Sequence, residues 1–423
     1  MAPPSISTVR SNSAKVPLSS RSRIECKDSG LYSTEGAQRI IDLIENRRLV
    51  STLVLSHNEL GDDGCVILFK FLSSTKGRRY PISEIQIGSN QLGNTGLLAI
   101  ANYLENNIHL RRLHLPNNAF IGDEAVTSAF VRSINSSQLE TLNLASNNSL
   151  SDTFVSSFFP SLNSRLLRDL NLTATGLTKA SVPFIADYLS SDRCYLSAFS
   201  GNLNLLGIIG LQTIYNALHS SANHRLTTLS IFANHTGINT EIDETTRFKT
   251  QEIQSLLKRL VIRNKCLNEK TQVEALELLR YSRPLLLHQT NPPSTSSSSS
   301  PFLKLPTEII QHILSLFAPN LSEVQRIRVF QYASSASTLP QLLPCLPSSG
   351  SSGTDHTFCV PDPSNIGFGD TGNIWKIGGG GVGVGGGCAS GKCLGASNSL
   401  VCHREQDRAA WLYAVGCDAY ETN

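Results

Sequence analysis

Little of this chain is charged, and none of it is long and apolar. Asp, Glu, Lys and Arg make up 16% of its 423 residues and leave a net charge of +3. That surplus is too small to predict a nucleic-acid or anionic-membrane partner. No run approaches the roughly 18 apolar residues of a membrane span. The opening stretch MAPPSISTVRSNSAKVPLSSRSR has no apolar h-region, so a secretory signal peptide is excluded. Its Ser and Arg content, with no acid before Glu25, faintly suggests a mitochondrial presequence, but a disordered tail over residues 1–34 is the expectation. The ten cysteines lack the short paired knuckles of a zinc site. Cys388, Cys393 and Cys402 are too widely spaced, although His403 and Cys417 lie nearby. Free thiols in a reducing compartment, cytoplasmic or nuclear, follow from this reading. The stretch GGCASGKC, Gly386 to Cys393, falls one residue short of a phosphate-binding loop. Cys393 stands where a magnesium-binding hydroxyl is needed, and no strand precedes the glycines. No metal and no cofactor are expected.

What is present is repetition. The segment LVLSHNELGDDG, Leu53 to Gly64, recurs as L-x-x-L-x-L-x-x-N-x-L. The Asn position is filled by Asn58, Asn90, Asn118, Asn147, Thr175, Asn204 and Asn234, at spacings of 32, 28, 29, 28, 29 and 30 residues. Near-equal spacings of this kind mark a stacked repeat array. In x-L-x-L-x the alternate side chains take opposite faces of a strand, so the leucines face a core. The Asn stands where the chain leaves the strand, and its amide can bond backbone groups that no ladder reaches. Segments such as GLLAIANYLENN and GLQTIYNAL then carry apolar residues at helical spacing. Each unit is therefore a strand plus a full helix. The fold class that follows is α/β: a leucine-rich repeat horseshoe over residues 35–238, with a parallel sheet inside and helices outside.

These long, helix-bearing units resemble ribonuclease-inhibitor-like leucine-rich repeats, including fungal-type proteins and RanGAP-like proteins. The resemblance implies a concave binding surface and no catalysis of its own. The outward strand positions expected to form that surface include Glu84, Gln86, Arg112, His114, Asn143, Asp169, Asn171 and Phe232. A protein partner is the expected ligand, and a plain solvated face is the alternative. A His–acid catalytic arrangement of His114 with Glu84 or Asp169 lacks a nucleophile beside it.

Beyond the repeats, residues 239–290 read as two helices that cap the open apolar end of the array. A Ser/Pro linker spans 291–301. Within 302–346, LKLPTEIIQHILSLF resembles the opening of an F-box, which begins L-P-x-E followed by two aliphatics. Pro306 suits the first turn of a helix, and the apolar stripe Ile309, Ile310, Ile313, Leu314 and Phe317 covers one face. The resemblance implies that Leu305, Pro306, Ile309, Ile310, Ile313 and Leu314 are adaptor-facing or core, and that a Skp-type adaptor of a ubiquitin ligase is a partner. In most such proteins the F-box precedes the repeats, whereas here it follows them. Residues 347–403 form a Gly/Ser-rich insertion, and 404–423 a closing helix expected to pack on the F-box-like helices through Trp411. A ligase adaptor is therefore the first reading. A RanGAP-like GTPase activator, which would typically carry an acidic run after the repeats, and a pure scaffold are the alternatives.

Overall fold

The computed structural model describes residues 22–234, 244–290, 305–338, 343–344, 358–359 and 404–422. It divides into two compact units, Met1–Val261 and Ile262–Asn423. Among the described residues no helix is long and apolar enough to cross a membrane.

The first unit is the horseshoe. Eight strands pair in parallel and in chain order: β1 (Arg23–Glu25), β2 (Thr52–Val54), β3 (Glu84–Gln86), β4 (Arg112–His114), β5 (Thr141–Asn143), β6 (Asp169–Asn171), β7 (Ala198–Ser200) and β8 (Thr228–Ser230). A helix joins each strand to the next: α1 (Ser33–Glu45), α2 (Gly61–Ser73), α3 (Asn94–Leu104), α4 (Glu124–Ser136), α5 (Ser151–Ser161), α6 (Val182–Ser190) and α7 (Gly207–Ser220). The register places Ile24, Leu53, Ile85, Leu113, Leu142, Leu170, Phe199 and Leu229 in one line across the sheet. All but half-buried Leu229 are removed from solvent, each burial contributing about 1.5–3 kcal/mol.

Asn58 bonds as its position predicts. Asn58 Oδ1 accepts the N–H groups of Ser29 and Leu31 at 3.0 Å, while Nδ2 donates to the carbonyls of Cys26 and Leu55 at 2.8 and 2.9 Å. One buried amide thus stitches two repeats. Asn118, Asn147 and Asn204 repeat the arrangement. Thr175, which stands at an Asn position, donates its hydroxyl to Leu172 O and takes its remaining support from Asn204.

Two expectations are corrected. The tail assigned to residues 1–34 contains β1 and the start of α1, so the array begins one repeat earlier. Ile24, Cys26, Ser29 and Leu31 occupy the offsets of Leu53, Leu55, Asn58 and Leu60, with a thiol for one leucine and a hydroxyl for the amide. The cap is also one continuous helix, α8 (Glu244–Thr290), rather than two. No glycine or proline separates its two apolar stripes, and Pro284 enters only in the last turns. Its first stripe, Ile253, Leu257 and Leu260, joins the core of the horseshoe.

The second unit begins within α8. Its core gathers Leu276, Leu278 and Leu279 of that helix, Ile310 and Leu314 of α9 (Thr307–Ser315), Val329 and Phe330 of α10 (Glu323–Ser334), and Trp411 and Leu412 of α11 (Arg404–Ala414). The closing helix therefore packs on the helices that follow Pro306. Ser322 and Gln325 form a reciprocal cap at the start of α10. Gln325 Nε2 also donates to the carbonyls of Gly416 and Ala419 at 2.8 Å, fixing the segment after α11. The Ser/Pro linker, the phosphate-loop-like stretch and Cys388, Cys393, Cys402 and His403 lie outside the described residues.

Candidate functional site

Every first strand residue and every third one points away from the leucine core, so the concave face is two parallel rows of side chains. The first row runs Arg23, Thr52, Glu84, Arg112, Thr141, Asp169, Ala198 and Thr228. The second runs Glu25, Val54, Gln86, His114, Asn143, Asn171, Ser200 and Ser230. Parallel strands lie about 4.8 Å apart, so laterally adjacent side chains are in reach of each other.

Glu84 is the hub. Its side chain is only 13% exposed. Arg112 on the next strand donates to Glu84 Oε2 from Nη2 at 2.7 Å and from Nε at 3.2 Å. Gln86 Nε2 donates to Oε1 at 2.5 Å, and His114 Nε2 lies 4.0 Å from the same oxygen. Burial pushes the Glu84 carboxyl up, but the hydrogen bonds from Arg112 and Gln86, with the charges of Arg112 and His114, outweigh it and hold the group below its ordinary value. Burial also pulls the His114 imidazole below its ordinary value, helped by Arg112 and opposed by Glu84 and Asp169. Asp169, two strands beyond Arg112, is raised by burial against the opposing pull of His114. At neutral pH this is a carboxylate gripped by a guanidinium, beside a neutral imidazole.

The structure thus brings Glu84, Gln86, Arg112 and His114 into direct contact or near it, with Asp169 coupled through charge. Asn143 and Asn171 continue the second row, but each spends its carbonyl oxygen on its own strand end, accepting the N–H of Ala145 and Thr173 at 2.9 Å. Phe232 is not part of the cluster. It is 55% exposed beyond the end of β8. Arg23 and Glu25, paired at 3.2 Å, extend the rows by one strand. Only the degenerate Ile24-x-Cys26 pattern could have revealed them. A separate groove of about 800 Å³ opens at the loop edge that follows β1 to β4, lined by Tyr32, His57, Glu59, Gln91 and Asn117.

The six adaptor-facing candidates separate by burial. Ile310 and Leu314 belong to the core, Leu305 and Ile313 are half-buried, and Pro306 and Ile309 are exposed.

Among known families, the leucine-rich repeat model matches residues 48–68, 82–101 and 106–128. These segments contain β2, β3 and β4, and hence Glu84, Arg112 and His114. No curated protein matches the chain.

Proposed function

We propose that this chain, built on leucine-rich repeats, is a non-enzymatic adaptor that holds a protein on its concave face and recruits a Skp-type ubiquitin-ligase adaptor through its second unit. The observation that carries the first half is the charged cluster around Glu84. Its groups lie on the concave face of the sheet, outside the leucine core. A polypeptide laid across β3 to β6 could offer a cation to Asp169 and hydrogen-bond donors and acceptors to the asparagine row. The full helix in each unit supports a ribonuclease-inhibitor-like subtype.

The second half rests on the F-box-like opening and on apolar side chains left outside the core. Ile309, Leu316, Phe317, Val324 and Ile327 are all exposed on α9, α10 and the turn between them. Such a concentration in a small helical unit favours a docking role. By that reading the protein works in the cytoplasm or nucleus.

Three forms of the full chain would be compared in pull-downs: the intact protein, Glu84→Ala/Arg112→Ala, and Ile309→Glu/Phe317→Glu. The concave variant should lose the repeat-bound partner but keep the Skp-type adaptor and a cullin, and the helical variant should do the reverse. If the intact chain brings down no Skp-type adaptor, the ligase half of the reading fails and a scaffold remains. Retention of every partner by the concave variant would remove the concave half.

A further inference from the structure

The parallel array sends all seven helix-to-strand loops to one edge of the sheet and all strand-to-helix loops to the other. The two edges differ in charge. The helix-to-strand loops, residues 46–51, 74–83, 105–111, 137–140, 162–168, 191–197 and 221–227, hold ten Lys or Arg against three Asp or Glu. The strand-to-helix loops hold two against three. Six of the seven loops on the basic edge contribute an arginine: Arg48, Arg79, Arg111, Arg165, Arg193 and Arg225.

Local carboxylates neutralise part of this row. Glu140 lies 3.5 Å from Arg111, Asp187 lies 3.8 Å from Arg193, and Glu45 takes Lys76 at 2.5 Å. Arg225 stacks on the Tyr195 ring with its guanidinium carbon 4.8 Å from the centroid. Arg48, Arg79 and Arg165 are exposed and form no salt bridge among the described residues. Exposed Leu49 stands beside Arg48, and exposed Ile108 two loops along the same edge. The edge therefore combines repeated positive charge with isolated apolar side chains.

We propose that this basic edge is a second binding surface, distinct from the concave cluster, and that its ligand is an acidic polypeptide segment carrying apolar residues. Guanidinium groups favour carboxylates geometrically, and Leu49 and Ile108 suit interspersed leucine-like side chains. A nucleic acid fits less well. The bases of a single strand stack on open aromatic faces, and of the two aromatic residues in these loops Tyr80 is half-buried against the core, while Tyr195 has Arg225 over its ring, with Arg168 5.7 Å from the centroid. A membrane surface fits less well too, because two isolated apolar side chains offer little area to insert.

The test uses the full chain and a fluorescein-labelled peptide of Glu, Asp and Leu, followed by anisotropy. The controls are the Gln, Asn and Leu counterpart, a single-stranded RNA oligomer, and vesicles of phosphatidylcholine with phosphatidylserine. The acidic peptide should bind saturably and more weakly as salt rises. The triple variant Arg48→Glu/Arg79→Glu/Arg165→Glu should weaken it by about tenfold or more. All three residues are exposed, so the variant's melting temperature should be unchanged, and Arg48→Gln/Arg79→Gln/Arg165→Gln should show an intermediate loss. Arg112→Ala on the concave face should leave peptide affinity as it was. Absence of saturable binding, equal affinity for the uncharged peptide, or an undiminished triple variant would overturn the proposal. So would tighter binding of RNA or of the vesicles than of the peptide.

Discussion

His114 shows how much of the concave face depends on protonation. Its imidazole is lowered by burial, so as pH falls below about 6.5 the unfolded chain takes up a proton before the folded one does. Stability should therefore drop as pH falls through that window. Glu84 acts in the same direction at lower pH. Its depressed carboxyl contributes stability above the ordinary value, and that is lost as pH falls through the folded value. Asp169 opposes both in the acidic range, because a raised carboxyl contributes stability below its ordinary value and loses it as pH rises through the folded one. His114→Gln should flatten the melting-temperature profile just below about pH 6.5 and, because the His114 charge also lowers Glu84 and Asp169, should shift the more acidic limb as well. An unchanged profile would mean that the imidazole does not titrate differently in the fold.

At the scale of elements, the repeats hold one another by side chains that reach across the helix starts. Asp62 in the first turn of α2 accepts the N–H of Gly93 at 2.7 Å and of Gly96 at 2.9 Å, at the start of α3. The carboxylate satisfies donors left open at that helix terminus and sits at the positive end of its dipole. Asp62→Ala should cost about 1–2 kcal/mol in chemical denaturation. A Cβ at Gly96 would lie 2.7 Å from Asp62 Oδ1, so Gly96→Ala displaces the same carboxylate. Once Asp62 is gone, the nearest obstacle to that Cβ is Cys65 Sγ at 3.3 Å. The double variant should therefore cost less than the two single changes added. Strict additivity would show that the carboxylate does not bridge these elements. The strand leucines and ladder asparagines were readable because periodicity and amide chemistry leave direct marks. Asp62 was not, because its use depends on a neighbour about thirty residues away. β1 escaped because Cys26 and Ser29 satisfy the same positions with the wrong letters. The Glu84 cluster was legible as a row of outward residues, but its hierarchy was not. Only the register reveals that Arg112 and Gln86 both spend themselves on Glu84.

At the scale of the molecule, the described strands of the horseshoe pair only with their sequence neighbours, from β1 to β8, with no long-range closure among them. Each repeat is stabilised by its own core and by its two neighbours, as in a one-dimensional chain of coupled units. The same deletion should then read differently by position. Leu142 lies in the middle strand set with neighbours on both sides, and Ile24 lies in the first strand with β2 on one side only. Both are essentially inaccessible to solvent. Leu142→Ala should cost about 2–5 kcal/mol of the main unfolding transition, since a weakened central unit severs the array. Ile24→Ala should move that transition much less. Its cost should appear as faster amide exchange confined to β1, α1 and the Asn58 bonds that hold Ser29 and Leu31. Native-state hydrogen exchange resolves the two cases. A uniform loss of protection across all eight strands in the Ile24 variant would mean that the repeats fold as one indivisible unit, and that nearest-neighbour coupling does not describe this array.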